Sequence, residues 1–219
     1  MLERLAGNDA LKAELGTALR GGRLPHAVLL VGEPGCGAGF AARCLAADNL
    51  YPAGGPHAEA VLKKEDTECL VLQGEGASGQ IPVKKVREAR EALQRSALST
   101  DAAGRVLFIY GAQNLTGSSA NAMLKLIEEP PEGVLSLLTA TSAATVLPTI
   151  RSRCAAYTIA PVPAADCAAR LKAERLPAKA AEELAFLYEG HIGTALKSWN
   201  APPANAALGM ANTLCGYAA

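Results

Sequence analysis

The spacing of apolar residues along this chain changes several times, and each change marks an element. Leu5, Leu11, Leu15 and Leu19 fall on one helical face and Gly21-Gly22 supplies a stop, so a helix is predicted ahead of the first strand. Ala27 to Val31 is a short unbroken apolar run, the pattern of a strand buried on both faces. It runs into a glycine-rich turn and then into Phe40 to Leu50, which has helical spacing. Leu70-Val71-Leu72 predicts a second buried strand, Val106 to Ile109 a third and Leu135 to Thr139 a fourth. Between them, Ile81, Val83, Val86, Leu93 and Ala97 predict one helix. Ala120, Met123, Leu124 and Ile127 predict another, capped by Thr116 and ending before Pro130-Pro131. Strands alternating with helices predict an α/β fold with a parallel sheet covered on both faces. Pro161 and Pro163 mark a linker, beyond which Ala-rich helices are expected at 164–175, 178–189 and 193–199. The expected organisation is a core domain over 1–160, a small three-helix lid over 161–205 and the start of a further segment over 206–219.

Composition narrows the function classes. Half of the 219 residues are hydrophobic and 19% are charged, enough for one substantial core and a small second one. Lys plus Arg equals Asp plus Glu at 21 each, so no global field draws the chain to nucleic acid or to an anionic membrane. Any DNA contact must therefore be local or shared with partners. An aromatic content of 4% removes the stacking platforms that single-strand binders use. No apolar run approaches the roughly 20 residues needed to span a bilayer, and the N-terminal residues mix acidic and basic side chains, unlike a signal peptide. A cytoplasmic protein is expected. The cysteines at 36, 44, 69, 154, 167 and 215 form no C-x-x-C pair, so reduced, mostly buried thiols are expected rather than a zinc or redox site. Lys84, Lys85, Arg87, Arg90 and Arg95 lie mainly off the apolar stripe of their helix. They suit DNA phosphates or a solvated face, and the interleaved Glu88 and Glu91 favour the solvated face.

Candidate chemistry centres on the glycine turn. Gly32, Gly35, Gly37 and Gly39 sit in GEPGCGAG, following a strand and opening a helix, the setting of a phosphate-binding loop. A working loop reads G-x-x-x-x-G-K-[ST]: backbone N–H groups cradle the phosphates, the Lys reaches the β/γ-phosphates and the hydroxyl holds Mg²⁺. Ala38 stands where the Lys belongs and Gly39 where the hydroxyl belongs, so hydrolysis is not expected. In an ATPase of this topology the third strand ends in an Asp for the metal and a Glu for the attacking water. Here those places hold Tyr110 and Gly111, which reads as a second, independent loss. Gly35 and Gly37 still leave backbone amides able to hold an anion weakly at a helix N-terminus.

RLPHAVLLVG (Arg23 to Gly32), SANAMLKLIEEPPEG (Ser119 to Gly133) and LPTIRSRC (Leu147 to Cys154) together resemble the bacterial clamp-loader branch of the AAA+ ATPases. The likeness runs from Leu5 to about Trp199. It implies a P-loop type parallel sheet flanked by helices, followed by a helical lid. It also implies a subunit of a ring that opens a sliding clamp and places it on primer-template DNA beside motor subunits. In that family the Arg of Ser-Arg-Cys reaches the ATP site of a neighbour, a role that falls here on Arg153, flanked by Ser152 and Cys154. An arginine supplied in trans stabilises charge on the γ-phosphoryl and ties catalysis to subunit contact. The alternative for Arg153 is a local carboxylate partner.

ATP-binding relatives carry a nucleotide-contacting Arg after the residue corresponding to Gly190. This chain has His191, Ile192, Gly193 and Thr194 there, with His191 expected as a capping or surface residue. Two departures follow from the same resemblance. Only Cys44 and Cys69 fall where the family commonly has a four-cysteine zinc module, so no zinc is expected and residues 51–66 are expected to be poorly ordered. A chain ending at Ala219 leaves no room for the family's helical collar, which suggests a truncated, monomeric piece. The reading is a non-hydrolysing scaffold with no cofactor of its own. The alternatives are a motor-type ATPase, which needs Lys and Ser/Thr at 38 and 39, and a sensor that binds nucleotide without hydrolysing it.

Overall fold

The computed structural model describes residues 1–94 and 101–201. Arg95, Ala97, Cys215 and the predicted segment 206–219 lie outside the described residues. Inter-residue contacts divide the described residues into two compact units, one within 1–33 and 38–160, the other of 34–37 with 161–201.

In the first unit the apolar runs become strands β1 (Ala27–Val31), β2 (Cys69–Gln73), β3 (Arg105–Tyr110), β4 (Val134–Ala140) and β5 (Ala155–Thr158). All pair in parallel in the order β2-β3-β4-β1-β5. Every residue of β1 and β4 is buried, as the continuous apolar runs require of central strands between helical layers. The helices of this unit are α1 (Asp9–Arg20), α2 (Ala38–Leu50), α3 (Pro56–Lys63), α4 (Val83–Leu93), α5 (Gly117–Glu128) and the single turn α6 (Pro148–Arg151). On one face, Leu29, Leu107, Ile109 and Leu138 pack with Val86 and Leu93 of α4 and with Met123, Leu126 and Ile127 of α5. Thr116 does cap α5: the Ser119 hydroxyl accepts the Thr116 backbone N–H at 2.8 Å.

Four sequence expectations need correction. Leu5 is buried but lies outside α1, after a 3₁₀ turn at Leu2–Arg4, because Asn8 takes a left-handed conformation and starts the helix only at Asp9. β2 is an edge strand with only Leu72 buried and Val71 44% exposed, so its apolar run is not a two-sided core strand. Residues 51–66 are folded rather than poorly ordered. Pro56 opens α3, the Tyr51 ring stacks on His57 at 5.4 Å, and the Tyr51 hydroxyl donates to Asp66 Oδ2 at 2.9 Å. The fifth strand, β5, was not expected; Ala155-Ala156-Tyr157-Thr158 is short and alternates partly buried with exposed positions.

A buried ion pair ties β3 to the segment before β2. Arg105 Nε lies 3.2 Å from Oε2 of the fully buried Glu68, and Arg105 Nη1 donates to the Ala92 carbonyl of α4 at 2.6 Å. In the second unit, α7 (Ala164–Ala173), α8 (Ala178–Leu187) and α9 (Ile192–Asn200) bury Cys167, Leu171, Leu184 and Ala195, while Phe186 and Leu187 are left 82% and 60% exposed.

Candidate functional site

β1 ends at a turn of unusual backbone. The ladder runs one residue past the strand, with Gly32 N donating to the Ala140 carbonyl at 3.0 Å. Gly35 and Gly37 then take φ of +96° and +99°, a region L side chains rarely adopt. The loop tip, residues 34–37, belongs to the second unit and is bound there from α9. Thr194 Oγ1 donates to the Pro34 carbonyl at 3.0 Å and Gly193 N to the Gly35 carbonyl at 2.8 Å. A Cβ on Gly35 would fall 2.2 Å from Thr194 Oγ1, so this position admits glycine alone. His191 is the residue preceding α9, its Nδ1 2.8 Å from the Tyr188 carbonyl oxygen.

α2 begins at Ala38, whose methyl brings no charge. At Gly39 a Cβ would touch Cε1 of Tyr110 at 3.4 Å, so the end of β3 and the start of α2 meet through this ring. Tyr110 stacks on Phe108 of the same strand, 5.6 Å between centroids and 4° between planes, and Lys64 Nζ lies 5.6 Å from its centroid. Its hydroxyl is buried without a hydrogen-bond partner among the described residues. Burial pushes this phenol above its ordinary pKa, and the Arg43 guanidinium opposes the rise. Gly111 follows at φ +79°, its N–H donating to Thr139 Oγ1 at 3.2 Å.

The Ser-Arg-Cys triplet closes α6. Ile150 is fully buried and anchors the turn, while Ser152 is exposed and donates to the Thr149 carbonyl at 3.3 Å. Arg153 is about two-fifths exposed. Its Nε donates to Glu128 Oε1 at 2.5 Å and its Nη1 to the Thr149 carbonyl at 3.0 Å. A local carboxylate therefore does hold Arg153. Glu128 lies in the Glu-Glu-Pro-Pro run that the sequence displays, yet nothing in linear spacing joins it to residue 153. Cys154 packs against the sheet core and burial lifts its thiol to about 11, which removes it as a nucleophile. The structure thus joins Gly39 to Tyr110 and Gly35 to Thr194, whereas Arg153 makes its hydrogen bonds elsewhere, to Glu128 and Thr149.

A cleft of about 210 Å³ opens between α4 and α5, lined by Arg87, Arg90, Ser118, Asn121 and Lys125. Two other cations of α4 are paired on the surface, Lys84 with Glu88 at 3.7 Å and Lys85 with Glu75. Among the described residues no group of three or more His, Cys, Asp or Glu could hold a metal ion, and no helix is long and apolar enough to cross a membrane.

A parallel sheet of this order, a glycine turn after its β1 strand and a helical unit downstream define a P-loop α/β fold of the AAA+ type. Residues 7–163 match the family described as DNA polymerase III, delta subunit, and the chain belongs to that clamp-loader family. It is 34% identical over 155 residues to DNA polymerase III subunit gamma/tau of Mycobacterium tuberculosis, covering 68% of this chain and 27% of that one. It is 36% identical over 92 residues to the delta' subunit of Escherichia coli, covering 42% and 27% respectively. The chain thus spans about a quarter of the length of these relatives. Among solved structures, the RuvB Holliday junction branch migration motor of Thermotoga maritima matches with a TM-score of 0.60 at 19% identity, over 88% of this chain and 60% of that one. At that identity the likeness speaks for the fold alone.

Proposed function

We propose that the chain is a non-hydrolysing, delta-prime-like subunit of a bacterial clamp loader. It acts as a ring scaffold and lends Arg153 in trans to the ATP site of a neighbouring motor subunit of the gamma/tau kind. The observation that carries this reading is the Tyr110 ring lying against Gly39. A P-loop ATPase keeps a hydroxyl and its Mg²⁺ beside that position and a metal-binding carboxylate at the end of this strand. The residues present do not fit a Mg-nucleotide: Ala38 supplies no ammonium, Gly39 no hydroxyl, and a phenol replaces the carboxylate. Thr194 crowding Gly35 at the loop tip supports the same reading.

Further support lies on the surface. Arg153 is exposed enough to reach another chain, and the apolar Phe186 and Leu187 suit contact with other subunits, delta-like or motor. The α4/α5 cleft offers Arg87, Arg90 and Lys125 to backbone phosphates of the primer-template DNA enclosed with the sliding clamp, a share consistent with zero net charge. The identity to gamma/tau subunits favours a second reading, a motor ATPase, and residues 38, 39 and 110 weigh against it.

Calorimetric titration with Mg-ATP tests the first half of the proposal. No binding heat is expected, and saturable binding revives the motor or sensor reading. In a reconstituted loader, Arg153→Ala is expected to slow turnover at the neighbouring site by about 10³-fold. Unchanged turnover removes the trans role.

A further inference from the structure

We infer that Glu128 is a positioning residue that aims Arg153, an inference that rests on the trans role proposed above. An arginine side chain free in solution samples many rotamers, and a donor that must meet a phosphoryl group on another chain loses rate for each one it has to leave. Here the guanidinium is fixed from two sides. Nε is held by Glu128 at the end of α5, and Nη1 by the Thr149 carbonyl of α6, a turn rooted by the buried Ile150. Two bonds from two elements set both the position and the plane of the group.

They leave donors in hand: of the five N–H groups of the guanidinium, the hydrogen bonds to Glu128 and Thr149 use two. An incoming phosphoryl oxygen can take one of the remaining N–H groups without displacing Glu128, so the tether and the trans contact are compatible. The carboxylate is itself 45% exposed, and water screens its repulsion of a phosphate. Glu128 therefore acts through Arg153 and not on the nucleotide. Its neighbours Glu129 and Pro130-Pro131 end the helix at this point, which fixes where the carboxylate stands.

The test uses the assembled loader carrying Glu128→Ala, Glu128→Gln, Arg153→Ala or Glu128→Ala with Arg153→Ala. Glu128→Ala is expected to lower kcat for ATP by about 5- to 10-fold with KM unchanged, since the arginine remains but is no longer aimed. Glu128→Gln keeps the accepting oxygen and is expected to return turnover to within about 2-fold of the original. In the Arg153→Ala background the loss of Glu128 should add nothing. Wild-type or faster turnover with Glu128→Ala, a multiplicative loss in the double variant, or no rescue by Gln overturns the positioning role while leaving the trans role standing if Arg153→Ala alone is slow. If Arg153→Ala is itself without effect, both fall. The isolated chain gives a readout independent of activity: the ¹⁵N-labelled Arg153 Nε–H should exchange slowly with water in the original and in Glu128→Gln, and rapidly in Glu128→Ala. Fast exchange in the original sinks the tether itself.

Discussion

Replacing Gly39 by Thr restores one residue of a working phosphate loop, and the structure says that it should destabilise the protein. The new Cβ would sit 3.4 Å from Tyr110 Cε1 and 3.8 Å from both Tyr110 Cδ1 and Arg43 Nη1, already in van der Waals contact. Threonine then places two further heavy atoms one bond beyond Cβ, on a rigid branched side chain. The ring has little room to retreat, because it stacks on Phe108 and its hydroxyl is already buried. Overpacking of this kind costs about 1–3 kcal/mol. Losing a helical glycine returns about 0.3–0.5 kcal/mol. The net is a loss of about 0.5–2.7 kcal/mol, a fall in Tm of about 1–11 °C for a chain of this size. Thermal melts of the original chain, Gly39→Thr, Tyr110→Ala and the double variant form a cycle. Gly39→Thr should cost nothing once Tyr110 has become Ala, a coupling of at least about 1 kcal/mol. A Gly39→Thr variant melting with the original, or single effects that add to within about 0.5 kcal/mol, would refute the argument.

Two further outcomes test the core. Glu68→Ala leaves the Arg105 guanidinium buried without its carboxylate and should destabilise by about 3–5 kcal/mol in urea titrations, while a loss below about 1 kcal/mol would show the pair to be solvated. The Cys44 thiol, fully buried in α2, is raised by desolvation from its ordinary 9.0 to about 11. The folded chain keeps this proton longer than the unfolded chain. Its contribution is therefore complete below pH 9 and disappears as the pH climbs toward 11, a loss on the order of 2–3 kcal/mol. Urea midpoints at pH 8 and pH 11 should differ less in Cys44→Ala than in the original, and identical differences would contradict the assignment.

Most of the fold was legible because the central strands have a simple signature. β1, β3 and β4 lie between helical layers, so burial on both faces writes itself as uninterrupted apolar runs. The edges escaped for the same reason. β2 is apolar in sequence but half-covered in the fold, and β5 is held by pairing along Leu29 and Leu30 rather than by a hydrophobic pattern of its own. α3 escaped because glycines and prolines around it read as loop, whereas Pro56 serves to start the helix and Tyr51, His57 and Asp66 fasten it. At the site, the missing Lys, hydroxyl and carboxylate were plain from residue type alone. Two contacts found in the fold, Thr194 on Gly35 and Glu128 on Arg153, cross about 160 and 25 residues of chain and have no linear signal.

The altered residues at 39 and 110 invite treatment as two separate losses, each adding its own weight to the case against hydrolysis. The fold changes that arithmetic. A phenol ring at the end of β3 reaches the first turn of α2, where a Cβ on residue 39 would already be in van der Waals contact with it and a longer side chain would meet it. Conversely, a bare glycine at 39 beside a small residue at 110 would open a cavity beneath the Phe108 ring, at a cost that grows with its volume. Each substitution thus makes the other tolerable, and packing favours the pair over either alone. Packing therefore couples Gly39 to Tyr110 and opposes replacing either one alone. Restoring the hydroxyl meets the ring, and restoring the carboxylate removes the ring that fills the space. Arg153 stands on a different element, at the end of α6, and takes no part in this packing.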